Sequence, residues 1–254
     1  MIVSETEKAV QKVIALFKNS KYGVVLTGAG ISTPSGIPDF RSQNTGLWER
    51  DDPMEVASLT AFEAHPERFY GWLKPLAKTI MSAKPNAAHQ ALAELENAGI
   101  IKATITQNID GLHQKAGAKK VIELHGSALT MTCPSCHRSF QSKMFEDELL
   151  NNGAMPKCPE CGRILKPDIV LFEEMLPAKA WTEAESHSMK ADLFLVVGSS
   201  LEVIPASTLP YLAYRAGAAL VINNISPTSL DARARVVIHD DAVTIIPRIA
   251  EALL

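Results

Sequence analysis

Short runs of branched apolar residues alternate with amphipathic stretches along most of the chain, and this alternation is the strongest constraint on the fold. The apolar runs lie at 23–26, 103–106, 121–124, 193–197, 219–222 and 235–238. Helical periodicity covers 5–18, 62–80, 87–97, 178–190, 205–216 and 243–253. Apolar runs without polar alternation are typical of strands that are covered on both faces. The order therefore predicts an α/β fold, with a parallel sheet, right-handed crossovers and helices on both faces of the sheet.

Two segments interrupt the alternation. Residues 30–61 are rich in proline, glycine, serine and aspartate and are predicted to be a long loop region. Residues 129–168 contain all four cysteines and carry few strand signals.

The composition limits the function classes. A chain of 254 residues can bury one good core and a small additional module. Its net charge of −3 and pI of about 6.2 argue against a surface that binds nucleic acid or anionic membranes generally. No apolar run approaches the roughly 18 residues of a membrane span, and the N-terminus lacks the pattern of a secretory signal. We therefore expect a cytoplasmic protein with no membrane or direct nucleic-acid partner.

The four cysteines form two pairs, Cys133 with Cys136 and Cys158 with Cys161, with 21 residues between the pairs. Two such knuckles can supply four thiolates to one tetrahedral zinc ion. Because four cysteines fill the ligand shell, the zinc is expected to be structural rather than catalytic. Two disulfides or four free thiols are the alternatives. Residues 129–168 hold five basic and five acidic residues, so this module does not concentrate phosphate, and His137 is predicted to be a surface residue.

A glycine turn follows the first predicted strand. Gly28, Ala29 and Gly30 stand where nucleotide-binding α/β folds place backbone N–H groups near a phosphate. The dinucleotide fingerprint is incomplete, because Thr33 replaces its third glycine. The turn predicts a nucleotide site, and an ordinary strand-to-loop turn remains the alternative.

Polar side chains follow the next two predicted strands. Asn108 and Asp110 come directly after the strand at 103–106, and His125 follows the strand at 121–124. Because the carboxyl ends of parallel strands meet at one edge of a sheet, these side chains should converge beside the glycine turn. His125 is a candidate general base, with a purely structural histidine as the alternative. His89 and His113 are predicted to be structural.

Taken together, these residues resemble the sirtuins, the NAD-dependent protein-lysine deacylases. The matching motifs lie at 28–32, 36–41, 106–110, 124–126, 198–200 and 221–224 and in the four-cysteine module. They occur in the family's order and extend the resemblance over about residues 8–250. The resemblance implies a large, inverted Rossmann-like domain and a small zinc-binding domain, with NAD and substrate meeting in the cleft between them. The large domain would comprise 1–41, 84–128 and 169–254. The small one would combine the zinc-binding module at 129–168 with a helical and loop insertion over 42–83.

The resemblance also implies the reaction. An acyl-lysine oxygen attacks the nicotinamide ribose as nicotinamide leaves, and the products are free lysine and 2′-O-acyl-ADP-ribose. NAD is consumed, one structural zinc is retained, and the partners are acylated-lysine proteins or peptides. We expect a monomer. An ADP-ribosyltransferase or a lipoamidase-like deacylase on the same scaffold is the alternative, and a non-enzymatic NAD-sensing zinc protein is less favoured.

Individual roles follow from the same resemblance. The nicotinamide pocket is assigned to Ala29, Ile37, Phe40, Asn108, Ile109 and Asp110. The phosphates and riboses are assigned to Arg41, Gln107, Ser199, Ser200 and Asn224, and Gly28, Gly30 and Gly198 are further cofactor-binding residues. Asp241 and Ala242 are placed near the adenine, more loosely. His125 is the catalytic base, Asn108 orients a water or the ribose, and Asp110 binds the carboxamide.

The resemblance further implies that two segments sandwich the substrate peptide by strand addition. The first contributes Val170, Phe172 and Glu173, and the second contributes Leu201 and Glu202. Glu173 stands where the family carries glycine, and its negative charge is expected to favour basic peptides.

The acyl preference is predicted from a helix after the cofactor loop. By the resemblance, Leu73 and Leu76 stand where sirtuins that prefer acidic acyl groups carry a tyrosine and an arginine. Without the arginine, a succinyl carboxylate would lack a charge partner. The sequence therefore predicts acetyl and other uncharged acyl chains as substrates.

Overall fold

The computed structural model describes residues 4–41 and 46–254, so the parts of the predicted domains at 1–3 and 42–45 lie outside the described residues. The helices are α1 Glu5–Asn19, α2 Pro53–Val56, α3 Leu59–Ala64, α4 Pro66–Ser82, α5 Ala87–Asn97, α6 Leu112–Lys115, α7 Ala178–Lys190, α8 Leu209–Arg215 and α9 Ala242–Glu251. The strands are β1 Gly23–Thr27, β2 Ile101–Thr106, β3 Val121–Glu123, β4 Gly126–Thr132, β5 Ser139–Gln141, β6 Lys166–Ile169, β7 Leu193–Val197, β8 Ala219–Asn223 and β9 Val236–Ile238. Single turns of 3₁₀ helix lie at Ala29–Ile31, Thr33–Ser35, Leu47–Glu49, Ser142–Phe145, Ala206–Thr208 and Asp231–Arg233, and a π-helical turn at Asp147–Asn151. Within these described residues, none of the helices has the length and apolar character that crossing a membrane requires.

The predicted parallel sheet is confirmed. Its strand order is β3-β2-β1-β7-β8-β9, and every neighbouring pair is parallel. The chain builds outward from β1 to β3 on one side and from β7 to β9 on the other. The topological switch point therefore lies between β1 and β7, and a ligand crevice is expected beyond their carboxyl ends.

Helices cover both faces of this sheet, because alternate strand residues pack into two separate cores. On one face, Val25 packs in a core with α1, α5 and α9. On the other face, Val24 and Leu26 pack in a core with α7 and α8. Neighbouring residues of a strand point to opposite faces, so a continuous apolar run is the pattern that two covered faces require.

A second, antiparallel sheet has the order β5-β4-β6 and contains the segment around the cysteines. The sequence analysis found few strand signals in this segment. The physical reason is that β4 and β5 are mostly half-buried or exposed, so they lack a continuous apolar run. A third core joins this sheet to α3 and α4, with Phe62, Phe69, Leu149 and Ile169 among its members.

The predicted helix over 62–80 is divided into α3 and α4. His65 leaves the helical conformation, and Pro66 begins α4. Proline lacks a backbone donor and fits the first turn of a helix, so the chain restarts there. At the next helix the prediction holds, because Asn86 caps α5 and accepts hydrogen bonds from the N–H groups of Ala88 and His89. The predicted loop region over 30–61 contains α2, the start of α3 and several 3₁₀ turns.

Candidate active site

A cavity of about 1130 Å³ lies at the switch point of the large sheet, bounded by the loops after β1, β2 and β7 and by the segment after β6. Most of the cofactor residues expected from the sequence line it. These are Gly28, Ala29, Gly30, Ile37, Phe40, Arg41, Gln107, Asn108, Ile109, Asp110, Gly198, Ser199, Ser200, Asn224 and Ala242. His125, Val170, Phe172, Glu173 and Glu202 line it as well.

Two expected residues lie elsewhere. The side chain of Asp241 caps α9 by accepting a hydrogen bond from the N–H of Val243, and it is Asp240 that lines the cavity. Leu201 is buried in the core beneath α8. Its φ of 59° turns the chain so that Glu202, the next residue, reaches the cavity.

The glycines after β1 allow two loops to touch. A Cβ on Gly28 would lie 2.7 Å from the carbonyl oxygen of Gly198, and a Cβ on Gly198 would lie 2.4 Å from the backbone nitrogen of Ile31. The N–H groups of Gly28 and Gly30 donate to the carbonyls of Val197 and Gly198. These two N–H groups are therefore occupied by protein. The glycines shape the floor of the cavity through close backbone contact, which only glycine permits.

His125 is held by one backbone hydrogen bond. Its Nδ1 lies 2.9 Å from the carbonyl oxygen of Gln107, so Nδ1 donates and Nε2 carries the lone pair. Burial lowers the pKa of His125; the bond to Gln107 opposes this shift, and the positive charge of Arg41 reinforces it. The imidazole is therefore neutral near pH 7 and can accept a proton at Nε2.

Gln107 connects three parts of the site. Its backbone N–H donates to Thr27, and its side-chain Nε2 donates to Ser199 Oγ at 2.8 Å. Its carbonyl holds His125. One residue after β2 thus sets the distance between the loops of β1 and β7 and the orientation of the histidine.

Asn108 and Asp110 are fixed through Ser32. The amide nitrogen of Asn108 donates to the carbonyl of Gly28 and to Ser32 Oγ, each at 3.0 Å. Ser32 Oγ in turn donates to Asp110 Oδ2 at 2.8 Å. Both amide hydrogens of Asn108 are thereby used, which leaves its amide oxygen as the group that a ligand can contact. The sequence motif contained Ser32, but its linking role was missed because a serine in a loop carries no local signal.

Two buried histidines lie behind this network. His89 Nε2 is 3.4 Å from Ser32 Oγ, and His113 Nε2 is 2.9 Å from Thr27 Oγ1. Burial lowers the pKa of His89 to about 4 and that of His113 to about 3. Both rings are therefore neutral supports at pH 7, in keeping with the structural roles predicted for them.

Four aromatic side chains line one wall of the cavity, and two of them were not anticipated. Trp48 stacks on Trp72 with ring centroids 5.6 Å apart, and it also contacts Phe40 and Phe172. Trp48 lies in the region predicted to be loop, and Trp72 lies on α4. Only the tertiary fold brings them together. Together the four rings give the cavity an apolar wall.

The predicted peptide segment after β6 is anchored on both sides. The N–H of Val170 donates to the carbonyl of His125, and the N–H and carbonyl of Phe172 bond to Ala57 and Leu59. Glu173 has a φ of 74°, and its carboxylate accepts a hydrogen bond from the N–H of Thr60 at the start of α3. This bond lowers the pKa of Glu173. The carboxylate of Glu173, which was expected to face the peptide, is thus already hydrogen-bonded to the first turn of α3.

The four cysteine sulfurs lie within 4.8 Å of one another. Cys133 Sγ is 3.4 Å from Cys161 Sγ, and Cys136 Sγ is 3.6 Å from Cys158 Sγ. A disulfide needs about 2.05 Å, whereas sulfurs at 2.3 Å from one tetrahedral zinc stand about 3.8 Å apart. The arrangement therefore fits a structural zinc ion. His137 is exposed beside the first knuckle, as predicted.

Comparison with known proteins agrees with this geometry. A model of the Sir2 family matches residues 28–205. The chain is 45% identical over 246 residues to NAD-dependent protein deacylase 2 of Archaeoglobus fulgidus, with 96% of each chain covered. It is 48% identical over 220 residues to NAD-dependent protein deacetylase 1 of Geobacillus kaustophilus, covering 87% of this chain and 88% of the relative.

Solved structures show the same fold. A structure from work on the mechanism and regulation of Sir2 enzymes superposes with a TM-score of 0.90 at 44% identity, covering 97% of this chain and 98% of the other. A complex of Sir2 with a p53 peptide and NAD⁺ superposes with a TM-score of 0.86 at 41% identity, covering 95% and 97%.

Proposed function

Since the chain belongs to the Sir2 family and is an NAD-dependent protein deacylase, we propose that its deacylation is carried out in the cavity at the switch point with His125 as the base. The observation that carries this assignment is the hydrogen bond from His125 Nδ1 to the carbonyl of Gln107. It holds the imidazole in the tautomer whose free nitrogen can take a proton.

NAD supplies an electrophilic ribose carbon and a nicotinamide leaving group. The protein's part is to hold and orient. We assign the phosphates and riboses to Arg41, Ser199, Ser200 and Asn224, which border the cavity. The nicotinamide end is assigned to Ile37, Ile109 and Asp110, with the carboxylate of Asp110 accepting from the carboxamide. The adenine end is assigned to Ala242, with Asp240 on the wall beside it.

Asn108 and His125 have different roles: Asn108 orients a bound group, and His125 accepts a proton. The amide oxygen of Asn108 is the acceptor that orients a water or a ribose hydroxyl, because its amide hydrogens are held by Gly28 and Ser32. His125 Nε2 accepts the proton of a ribose hydroxyl, and that hydroxyl can then act as a nucleophile. The aromatic wall of Phe40, Trp48 and Phe172 keeps bulk water away from the reacting groups.

The partners are acylated-lysine proteins or peptides, in keeping with the p53 peptide in the related Sir2 complex. We propose that the acyl-lysine enters between the segments at 170–173 and 201–202. Phe172 uses both of its backbone groups on Ala57 and Leu59, Leu171 uses both of its own on Glu174, and the N–H of Val170 is bonded to His125. We therefore assign peptide pairing in this segment to the carbonyl of Val170 and the backbone of Glu173. We further propose that the protein is a cytoplasmic monomer that does not bind nucleic acid. We also propose the division into two domains predicted from the sequence, in which α3, α4 and the zinc module belong to the small domain.

The central test replaces the proposed base. His125→Ala should lower kcat/KM for an acetyl-lysine peptide with NAD by about 10²- to 10⁴-fold, the usual contribution of a positioned base. His65→Ala, which alters an exposed histidine at the start of α4, should leave the rate unchanged. Mass spectrometry should detect O-acetyl-ADP-ribose as the product. A His125→Ala enzyme with unimpaired turnover, or ADP-ribosylated protein as the main product, would contradict the proposal.

The pH profile gives a second readout. The reaction needs neutral His125, and burial lowers the pKa of this residue. Activity should therefore be retained above the ordinary histidine pKa of about 6.5 and should fall only as the pH drops through the lowered value. The midpoint of the acid limb of kcat/KM should lie below about 6.5. A midpoint well above that value would show that the titrating base is another group.

A further inference from the structure

The charged groups of the cavity are unevenly distributed. Among the described residues that line it, Arg41 is the one lysine or arginine side chain, whereas several carboxylates are present. Most of these carboxylates have fixed partners. Glu174 pairs with Lys166 at 2.8 Å, Glu173 accepts from the N–H of Thr60, and Asp110 accepts from Ser32 and Leu112.

Glu202 differs from these carboxylates because its partner is Arg41 itself. Glu202 Oε2 lies 3.4 Å from Arg41 Nε, and the two side chains are 63% and 36% exposed. The pair joins residues from two loops, the one that carries Phe40 and the one that follows β7. Both residues line the cavity, Arg41 as a proposed phosphate contact and Glu202 as part of the proposed peptide segment.

Two anions would compete for this one guanidinium when a dinucleotide binds. A pyrophosphate offers several oxygens and can accept paired hydrogen bonds from an arginine, whereas Glu202 offers one exposed carboxylate in weak contact. Arg41 should therefore turn to the pyrophosphate. Glu202 is then left without its cation beside the peptide segment.

We propose that Glu202 is a specificity residue that binds a cationic side chain of the substrate peptide, and that dinucleotide binding makes it available by withdrawing Arg41. The inference rests on the proposed function, since it takes Arg41 as a phosphate contact and the 201–202 segment as a peptide contact. It assigns the preference for basic peptides to Glu202 rather than to Glu173, whose carboxylate is bonded to α3.

Coupling of this kind is reciprocal: if the dinucleotide tightens binding of a basic peptide, the basic peptide tightens binding of the dinucleotide by the same factor. Exposed ion pairs contribute modestly, so the expected coupling is roughly two- to fivefold. It should be sensitive to salt, because both partners are near solvent.

The test uses the whole 254-residue chain, ADP-ribose and acetyl-lysine peptides. In separate peptides, arginine is placed at each of the three positions on either side of the acetyl-lysine, and matched peptides carry glutamine there. Peptide Kd is measured by calorimetry with and without saturating ADP-ribose. For at least one position, ADP-ribose should tighten the arginine peptide roughly two- to fivefold more than its glutamine partner. This excess should vanish at about 0.5 M NaCl.

Glu202→Gln should abolish the excess, because it removes the charge and keeps the shape. Glu5→Gln, which alters an exposed ion pair with Lys8 on α1, should retain it. Equal gains for arginine and glutamine peptides at every position, or an excess that survives in Glu202→Gln, would overturn the inference. A wild-type protein that fails to bind ADP-ribose or to deacetylate the peptides would instead refute the proposed function and this inference with it.

Discussion

Single buried residues explain much of the site's rigidity. His89 and His113 lie edge to face, with ring centroids 4.9 Å apart, and neither is exposed to solvent. A charged imidazole in this position would lose its hydration and repel its neighbour, so both rings stay neutral. Neutral rings can hold Ser32 and Thr27, and these in turn hold the polar groups that face the cavity.

This burial predicts an acid-sensitive fold. The unfolded chain binds protons at His89 and His113 near pH 6.5, whereas the folded protein resists protonation until about pH 4 and about pH 3. Their stabilising contribution is complete above about pH 6.5 and is lost as the pH falls through that window. Each histidine should contribute a slope of up to about 1.4 kcal/mol per pH unit.

His113→Gln isolates one of the two contributions, since glutamine can still place a nitrogen near Thr27. Between pH 6.5 and pH 5, its free energy of unfolding, measured with urea, should fall less steeply than that of the wild type by up to about 1.4 kcal/mol per pH unit. Identical slopes would mean that His113 is protonated in the folded protein.

Whole elements decide the shape of the cavity. Helix α4 turns Trp72, Leu76 and Ile80 toward it, and Leu73 packs in the core beside them. The wall formed by these side chains has no cation. Leu76, one of the two positions on which the acyl prediction rests, borders the cavity, where its side chain can contact an acyl chain. Leu73, the other position, lies in the core.

An acyl chain that ends in a carboxylate would meet this wall without a charge partner. A buried unpaired carboxylate costs at least as much as a lost charged hydrogen bond, about 1.5–3 kcal/mol. Succinyl-peptide turnover should therefore be about 10- to 100-fold lower in kcat/KM than acetyl-peptide turnover, measured side by side by mass spectrometry. Matching rates for the two peptides would refute the prediction.

The close contact between the loops after β1 and β7 also shapes the cavity. Gly198 has a φ of 61°, and a Cβ there would meet the backbone of Gly30 and Ile31. Gly198→Ala should therefore destabilise the fold and weaken ADP-ribose binding, because the two loops must separate. Gly217→Ala is the matched control: its φ is 103°, but no atom lies within 4 Å of the added Cβ.

The control should cost only the strain of the left-handed backbone, about 1–2 kcal/mol, and should bind ADP-ribose normally. Gly198→Ala should cost more in urea unfolding. Equal losses for the two variants would show that the loops tolerate separation.

At the scale of the whole molecule, the two sheets are stabilised differently. The large sheet is packed on both faces by extensive cores. The small sheet has a small core. Among the described residues, its buried members are Met131, Cys133, Phe145, Cys158 and Leu165. A core this small needs further stabilisation, and a structural zinc ion bound by the four cysteines would supply it.

Metal analysis should find about one zinc per chain, and a content below about 0.2 would refute the four-thiolate site. Removal of the zinc should unfold the small sheet and abolish deacetylation. The physical link is short: Ile169 of β6 pairs with Gly126, and Val170 bonds to the carbonyl of His125. Circular dichroism should show that the helices and strands of the large domain persist. Full activity in the metal-free protein would show that the two sheets are independent.

Local pattern was sufficient for much of the molecule. The strands of the large sheet were predictable because burial on both faces requires continuous apolar runs. The clustering of the four cysteines was predictable because each pair is close in the chain, and the position of His125 at the cavity was predictable because strand ends converge in a parallel sheet. The strands of the small sheet were not, since a half-exposed strand such as Ser139–Gln141 has no such run.

What the sequence determined by itself is the order of elements, the metal-binding module and the identity of the polar groups at the strand ends, because each depends on spacing along the chain. Tertiary structure alone decided how those groups are paired. It placed Ser32 between Asn108 and Asp110, brought Trp48 against Trp72, and set Arg41 beside Glu202. These contacts join segments far apart in the chain, and their distances depend on how helices and loops pack, which no local pattern encodes.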